Sequence, residues 1–107
     1  MSKCTHKKET VTLSVSSNQV VGNLDVTNCN GASVQLNGLA GSAGSMKLQQ
    51  SNDNTNWADI ASATATISGA GPYIINVSSL YTGHIRALVT LSGGAGDYTA
   101  YFLGKER

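Results

Sequence analysis

Few residues in this 107-residue chain can do chemistry: two cysteines, Cys4 and Cys29, two histidines, His6 and His84, and four aspartates, Asp25, Asp53, Asp59 and Asp97. Their spacing sets no nucleophile beside a base and an orienting group, and no strand spacing pairs two carboxylates, so the chain is not expected to be an enzyme. Cys4, His6 and Cys29 lack the paired spacing of a zinc site, and no metal or other cofactor is expected. The run Gly93-Gly94-Ala95-Gly96 has the composition of a phosphate cradle. Such cradles feed a helix N-terminus, whereas here a strand follows, so a flexible hairpin loop is the expectation.

The cysteines carry more interest as cross-linkers. Cys4 sits beside Lys3, His6, Lys7 and Lys8, and nearby positive charge favours the reactive thiolate. Cys29 falls at a turn expected to be exposed, so the two thiols are candidates for a disulfide between subunits. Two free thiols, or a bond within the chain, are the open alternatives. Trp57, the sole tryptophan, is either an interface anchor or sugar platform beside Gln49 and Asp59, or a cap on the end of the fold. Arg86 and His84 are expected on the exposed side of a central strand.

The elements that position these residues are strands. Val11, Leu13 and Val15 alternate with Thr10, Thr12, Ser14 and Ser16, the pattern of a strand with one buried face. Further candidates are 20–27, 32–37, 45–50, 57–61, 63–68, 73–77, 84–91 and 98–103, separated by turn residues. Parity of apolar positions suggests three hairpins. One joins 20–27 to 32–37 through Cys29-Asn30-Gly31, setting Val26 against Val34 and Leu24 against Leu36. A second closes over Asn52 to Asn56 and sets Leu48 against Ile60. The third places Ile85, Ala87, Val89 and Leu91 against Gly104, Phe102, Ala100 and Tyr98. The fold class is all-β: an antiparallel β-sandwich or jelly roll of about eight to nine short strands. Residues 1–9 are read as a flexible N-terminal arm and 10–107 as one domain, since the length supports only one core.

Only 12% of residues are charged, about half the usual share. Lys3, Lys7 and Lys8 crowd one end, and Lys105 with Arg107 the other. With a net charge of +1 there is no basic stripe to neutralise phosphates, so nucleic acid is not an expected partner. The Ser, Thr, Asn and Gly that fill the surface lose little entropy when covered, which suits packing against other subunits. No apolar run approaches the roughly 18 residues of a membrane span, and the start resembles no signal peptide. A protein made in the cytoplasm and released by cell lysis is the expectation, with no membrane partner.

The runs KLQQSNDNTNWADI and VSSLYTGHIRALVTLSGGAGDYTAYF resemble small β-sandwich modules of tailed-bacteriophage virions, such as head decoration proteins, fibres and tail accessory domains. The likeness covers roughly the last 60 residues. A comparable S-x-D-x-x-x-W hairpin occurs in carbohydrate-binding and sialidase-type repeats, which carry Gly in the turn where this chain has Thr55. The resemblance implies a virion-located structural protein that binds the outside of a capsid and stabilises or decorates it. Its partners would be the major capsid protein or other virion proteins and further copies of itself, a trimer first. Lys3, Lys7, Lys8, Trp57 and Arg86 are the candidate contacts. The alternatives are a tail or fibre adhesin binding host-surface glycans, and a head-tail or tail structural component.

Overall fold

The computed structural model describes residues 6–15, 18–27, 29–38, 40–69, 71–78 and 82–105. Its strands are β1 (His6–Leu13), β2 (Asn18–Asp25), β3 (Gly31–Asn37), β4 (Ala43–Ser51), β5 (Ala58–Ser68), β6 (Tyr73–Val77), β7 (His84–Gly93) and β8 (Gly96–Lys105). They make two four-stranded sheets, a first of order β1-β8-β3-β6 and a second of order β2-β7-β4-β5. The pairs β1 with β8, β2 with β7, β3 with β6 and β4 with β5 are all antiparallel. A ribbon folded once on itself and then rolled gives this set of pairs, so the sandwich is a jelly roll. Among the described residues no helix is long and apolar enough to cross a membrane.

Alternation decides what is buried. In β3, Ala32, Val34 and Leu36 point inward while Ser33, Gln35 and Asn37 point out. On β7 the buried set is Ile85, Ala87, Val89 and Leu91, and on β8 it is Tyr98, Ala100 and Phe102. Large side chains flank small ones on both strands, so the two inner faces can interdigitate. Each large apolar side chain so buried contributes about 1.5–3 kcal/mol. Phe102 needs room at one point in particular. It lies against Gly22, at a bulge in β2, where a Cβ would stand 2.5 Å from the ring.

Two of the three expected hairpins do not form. β2 pairs with β7 and β3 with β6 and β8, so Val26 and Val34 bury from opposite sheets rather than side by side. Likewise β8 pairs with β1 and β3, not with β7. Parity identified most of the inward residues, although Val15, expected on the buried face with Val11 and Leu13, lies beyond the end of β1 and is exposed; facing residues share parity both within a sheet and across a sandwich. The Gly93 to Gly96 stretch is therefore a crossover between sheets and not a hairpin loop. It is also anchored, because the Tyr98 hydroxyl donates to the Gly94 carbonyl.

The third hairpin holds close to its loop, with Gln50 opposite Ala58 and Gln49 opposite Asp59. One residue further on the register shifts, and Ile60, Ala61, Ser62 and Ala63 stand against Leu48 alone. Ser62 takes a left-handed conformation, φ 62°, within this irregularity. The two candidate strands 57–61 and 63–68 are thus one bulged edge strand, β5. Part of the expected arm, 1–9, belongs to a strand. His6 to Glu9 form the start of β1, paired with Leu103 to Ala100, and the part before His6 lies outside the described residues.

Candidate functional site

The outer face of the second sheet carries the densest set of interacting polar side chains. Asn23 of β2, Arg86 of β7, Gln49 of β4 and Asp59 of β5 fall in register, one per strand, across the sheet. Arg86 Nε donates to Gln49 Oε1 at 2.8 Å, and Gln49 Nε2 donates to Asp59 Oδ1 at 2.8 Å. Lys47 closes the row with an ion pair to Asp59 at 3.1 Å. Those two donors, Gln49 first, hold the Asp59 carboxyl below the usual carboxylate range. The Arg86 guanidinium lies over the Trp57 ring, 4.4 Å from its centre, a stacked arrangement that fixes both groups.

A loop stands beside this row. Ser51 Oγ accepts from the backbone N–H groups of Asp53 (3.2 Å) and Asn54 (2.9 Å) and donates to Asp53 Oδ1 at 2.9 Å. Asp53 in turn accepts from the N–H groups of Thr55 and Asn56 at 2.9 and 2.8 Å and from the Asn56 amide at 2.8 Å. With that many donors, the backbone N–H of Asn56 foremost, its carboxyl is pushed far below the ordinary value. The carboxylate is the hub of the turn, which explains the Ser-x-Asp spacing as a local folding device.

The loop leans over the sheet. Asn52 Oδ1 accepts from Gly83 N at 3.0 Å, and the Asn23 amide donates to Asn54 Oδ1 at 2.7 Å. Asn54 has φ 60°, a conformation that Asn tolerates better than most residues. The β4–β5 loop therefore crosses above β7 to reach β2, and forms a wall along one side of the polar row. On the other side lie Leu88, half-buried, and Val20, exposed.

Trp57 and Arg86, singled out separately from sequence, are brought together here, and Arg86 does lie on the outward side of a central strand. The guanidinium occupies a face of Trp57 that a sugar ring would otherwise use. Asn23 and Asn54 escaped the sequence reading, because nothing in a strand or a loop asparagine announces a contact two strands away. Lys8 sits over the Tyr101 ring at 5.7 Å on the first sheet, far from this row in the fold, and Lys7 takes its place in β1 opposite Phe102. Lys3 and Cys4 lie outside the described residues.

Cys29 departs from expectation. It is buried, with 8% of its surface exposed, and packs with the core instead of standing at an open turn. Its N–H bonds to the Val26 carbonyl at 2.9 Å, curling the β2–β3 crossover inward. It is disulfide-bonded and so is not a free thiol.

No family model and no curated protein sequence matches the chain. Solved structures do. PirA is 12% identical with a TM-score of 0.65, covering 90% of this chain and 92% of that one. The SPBc2 prophage-derived protein YomS is 9% identical with a TM-score of 0.57, covering 97% and 99%. A subunit of the Bacillus endospore appendages, described as a family of disulfide-linked pili, is 13% identical with a TM-score of 0.50, covering 99% and 93%. The likeness is one of fold. It extends over 90–99% of this chain.

Proposed function

We propose that the chain is a non-catalytic structural subunit of an extracellular, phage-type assembly, and that within this class it decorates and stabilises the outside of a capsid as a homo-oligomer. The observation that carries this reading is the outer face of the first sheet. Between Lys8 at one edge and Asp97 at one end, it presents Thr99, Ser33, Gln35, Asn37 and Asn76 with three exposed apolar side chains, Ile74 (52% exposed), Tyr101 (39%) and Leu103 (46%). Tyr101, Gln35 and Ile74 lie in one cross-strand row. Beside Leu103, a hollow of about 300 Å³ opens among Gly31, Ser33, Asn76 and Val77. A short-chained, uncharged face with a receptacle for one side chain can be covered by another subunit with little loss of entropy or solvation.

The structural likenesses support the class. One similar chain is prophage-derived and another builds pili. The pili are described as disulfide-linked, whereas in this chain the bond at Cys29 is buried and on the present reading stiffens each copy. The second reading, a tail or fibre module that grips host-surface glycans, draws on the Trp57–Arg86 face.

The test replaces Tyr101 and Leu103 together by Lys. Wild-type protein is expected to self-associate in sedimentation velocity and to appear on purified particles by electron microscopy. The double variant is expected to keep its β-type circular dichroism and melting cooperativity but to lose both behaviours. A wild type that stays monomeric and off the particles, or a variant that assembles as well, overturns the proposal.

A further inference from the structure

The row Asn23–Arg86–Gln49–Asp59 and the loop wall above it form a shelf whose chemistry is more specific than a packing face requires. Arg86 uses its Nε on Gln49 and sets its guanidinium over the Trp57 ring. Its terminal amino groups meet no acceptor among the described residues. A guanidinium held over an aromatic ring, with its fork left open, is set to receive a carboxylate.

Charge narrows the choice of anion. Lys47 is neutralised by Asp59. Asp25, paired across the strands with His84, adds a negative charge beyond the row, its carboxyl held below the usual range chiefly by a hydrogen bond from the Thr27 hydroxyl. Arg86 is thus the one cation of the shelf outside an ion pair among the described residues, with Asp25 beyond the row and Asp53 in the loop wall, a setting that repels a dianionic phosphate more than a monoanion. The surroundings suit a sugar. The linked amides of Asn23 and Asn54 flank Arg86 on one side and Gln49 with Asp59 on the other, groups whose several donor and acceptor positions match the hydroxyls of a sugar ring. The next cross-strand row sets Leu88 and Val20 side by side, an apolar ledge for ring C–H groups.

We propose that this shelf binds a carboxylate-bearing sugar, a hexuronate of a surface polysaccharide, with its carboxylate on the Arg86 fork and its hydroxyls on the Asn23–Asn54 and Gln49–Asp59 pairs. The site uses Trp57 as the support of Arg86, not as a stacking platform. It stands apart from the first-sheet face, so failure of the assembly reading leaves it intact, and the reverse holds too.

Trp57 reports on its own site, since the chain has one tryptophan. Titration with tri-galacturonate is expected to change its fluorescence saturably in the millimolar range or tighter, while neutral galactotriose does not. Arg86→Gln is expected to weaken binding at least about tenfold with the melting profile preserved, Arg86→Lys to weaken it less, and Asn23→Ala to an intermediate degree. No response to tri-galacturonate up to about 10 mM, an equal response to galactotriose, or unchanged binding by Arg86→Gln overturns the proposal. So does a response to tri-glutamate as strong as that to the acidic sugar, which would assign the fork to a protein carboxylate.

Discussion

Ser42 and Tyr98 share a hydrogen bond of 2.6 Å between their hydroxyls, inside the sandwich and from different sheets' flanks of the β7–β8 crossover. Tyr98 spends its own proton on the Gly94 carbonyl, so Ser42 is the donor of the pair. Both side chains are buried. Gly94, at φ 77°, is pressed so close to the Ser42 backbone that a Cβ would collide with the Ser42 Cα. The crossover is therefore locked by one phenol. Tyr98→Phe removes both hydrogen bonds of the phenol and is expected to cost about 1–3 kcal/mol. Gly94→Ala, which adds a clash to an unfavourable φ, is expected to cost more. Urea unfolding of the two variants measures both, and a Tyr98→Phe protein of wild-type stability would mean that water replaces the phenol.

Gly22 and Phe102 make a complementary pair. The bulge in β2 leaves Gly22 where a Cβ would stand 2.5 Å from both the Phe102 ring and Glu9 Oε2. Gly22→Ala is expected to destabilise by about 1–3 kcal/mol through overpacking. Combining it with Phe102→Leu, which vacates the space, should recover part of that loss. A double-mutant cycle of thermal unfolding checks the coupling, and simple additivity would show that the ring moves aside freely.

The inward residues were legible because burial enforces a period of two. Ile85, Ala87, Val89 and Leu91 were placed correctly even though their partner strand was not. Topology was less legible, since Val26 can face Val34 within a sheet or across the core with the same alternation, and loop length does not separate the cases. The jelly roll emerges only when all four long-range pairs are satisfied together. Of the site, Trp57 and Arg86 stood out as rare residue types on an outward face. Their contact did not, because a side chain reaching across β4 depends on the register of three strands at once. The Asn54–Asn23 contact rests on a loop folding over a sheet, which no periodicity encodes.

Cys29 lies in the core with its sulfur in a disulfide. Reduction both loosens the chain and leaves a thiol where the bond had been. Cys29→Ala is expected to lower stability by about 2–4 kcal/mol, the usual contribution of a native disulfide in a small domain. Dithiothreitol should lower the melting midpoint of wild type towards that of the variant and leave the variant unmoved. A variant still sensitive to the reductant would show that the effect acts elsewhere.

Asp53 makes the β4–β5 loop acid-sensitive. Its carboxylate accepts four hydrogen bonds, three of them at Oδ1 and one at Oδ2, and its folded-state pKa lies far below the unfolded value of about 3.9. A depressed folded pKa means that the unfolded chain takes up the proton first. The stabilising contribution is thus complete above about pH 5 and declines as pH falls below about 4 towards the folded value. Asp53→Asn removes the charge that gathers the donors, so it is expected to melt earlier than wild type at neutral pH, with the difference shrinking in acid. Trp57, which leaves the loop at its far end, gives a local signal: its fluorescence should shift in the variant at neutral pH and in wild type only in strong acid. Parallel melting curves of the two proteins from pH 7 to pH 3, with a gap that stays constant, would show that this carboxylate is not the group that orders the loop.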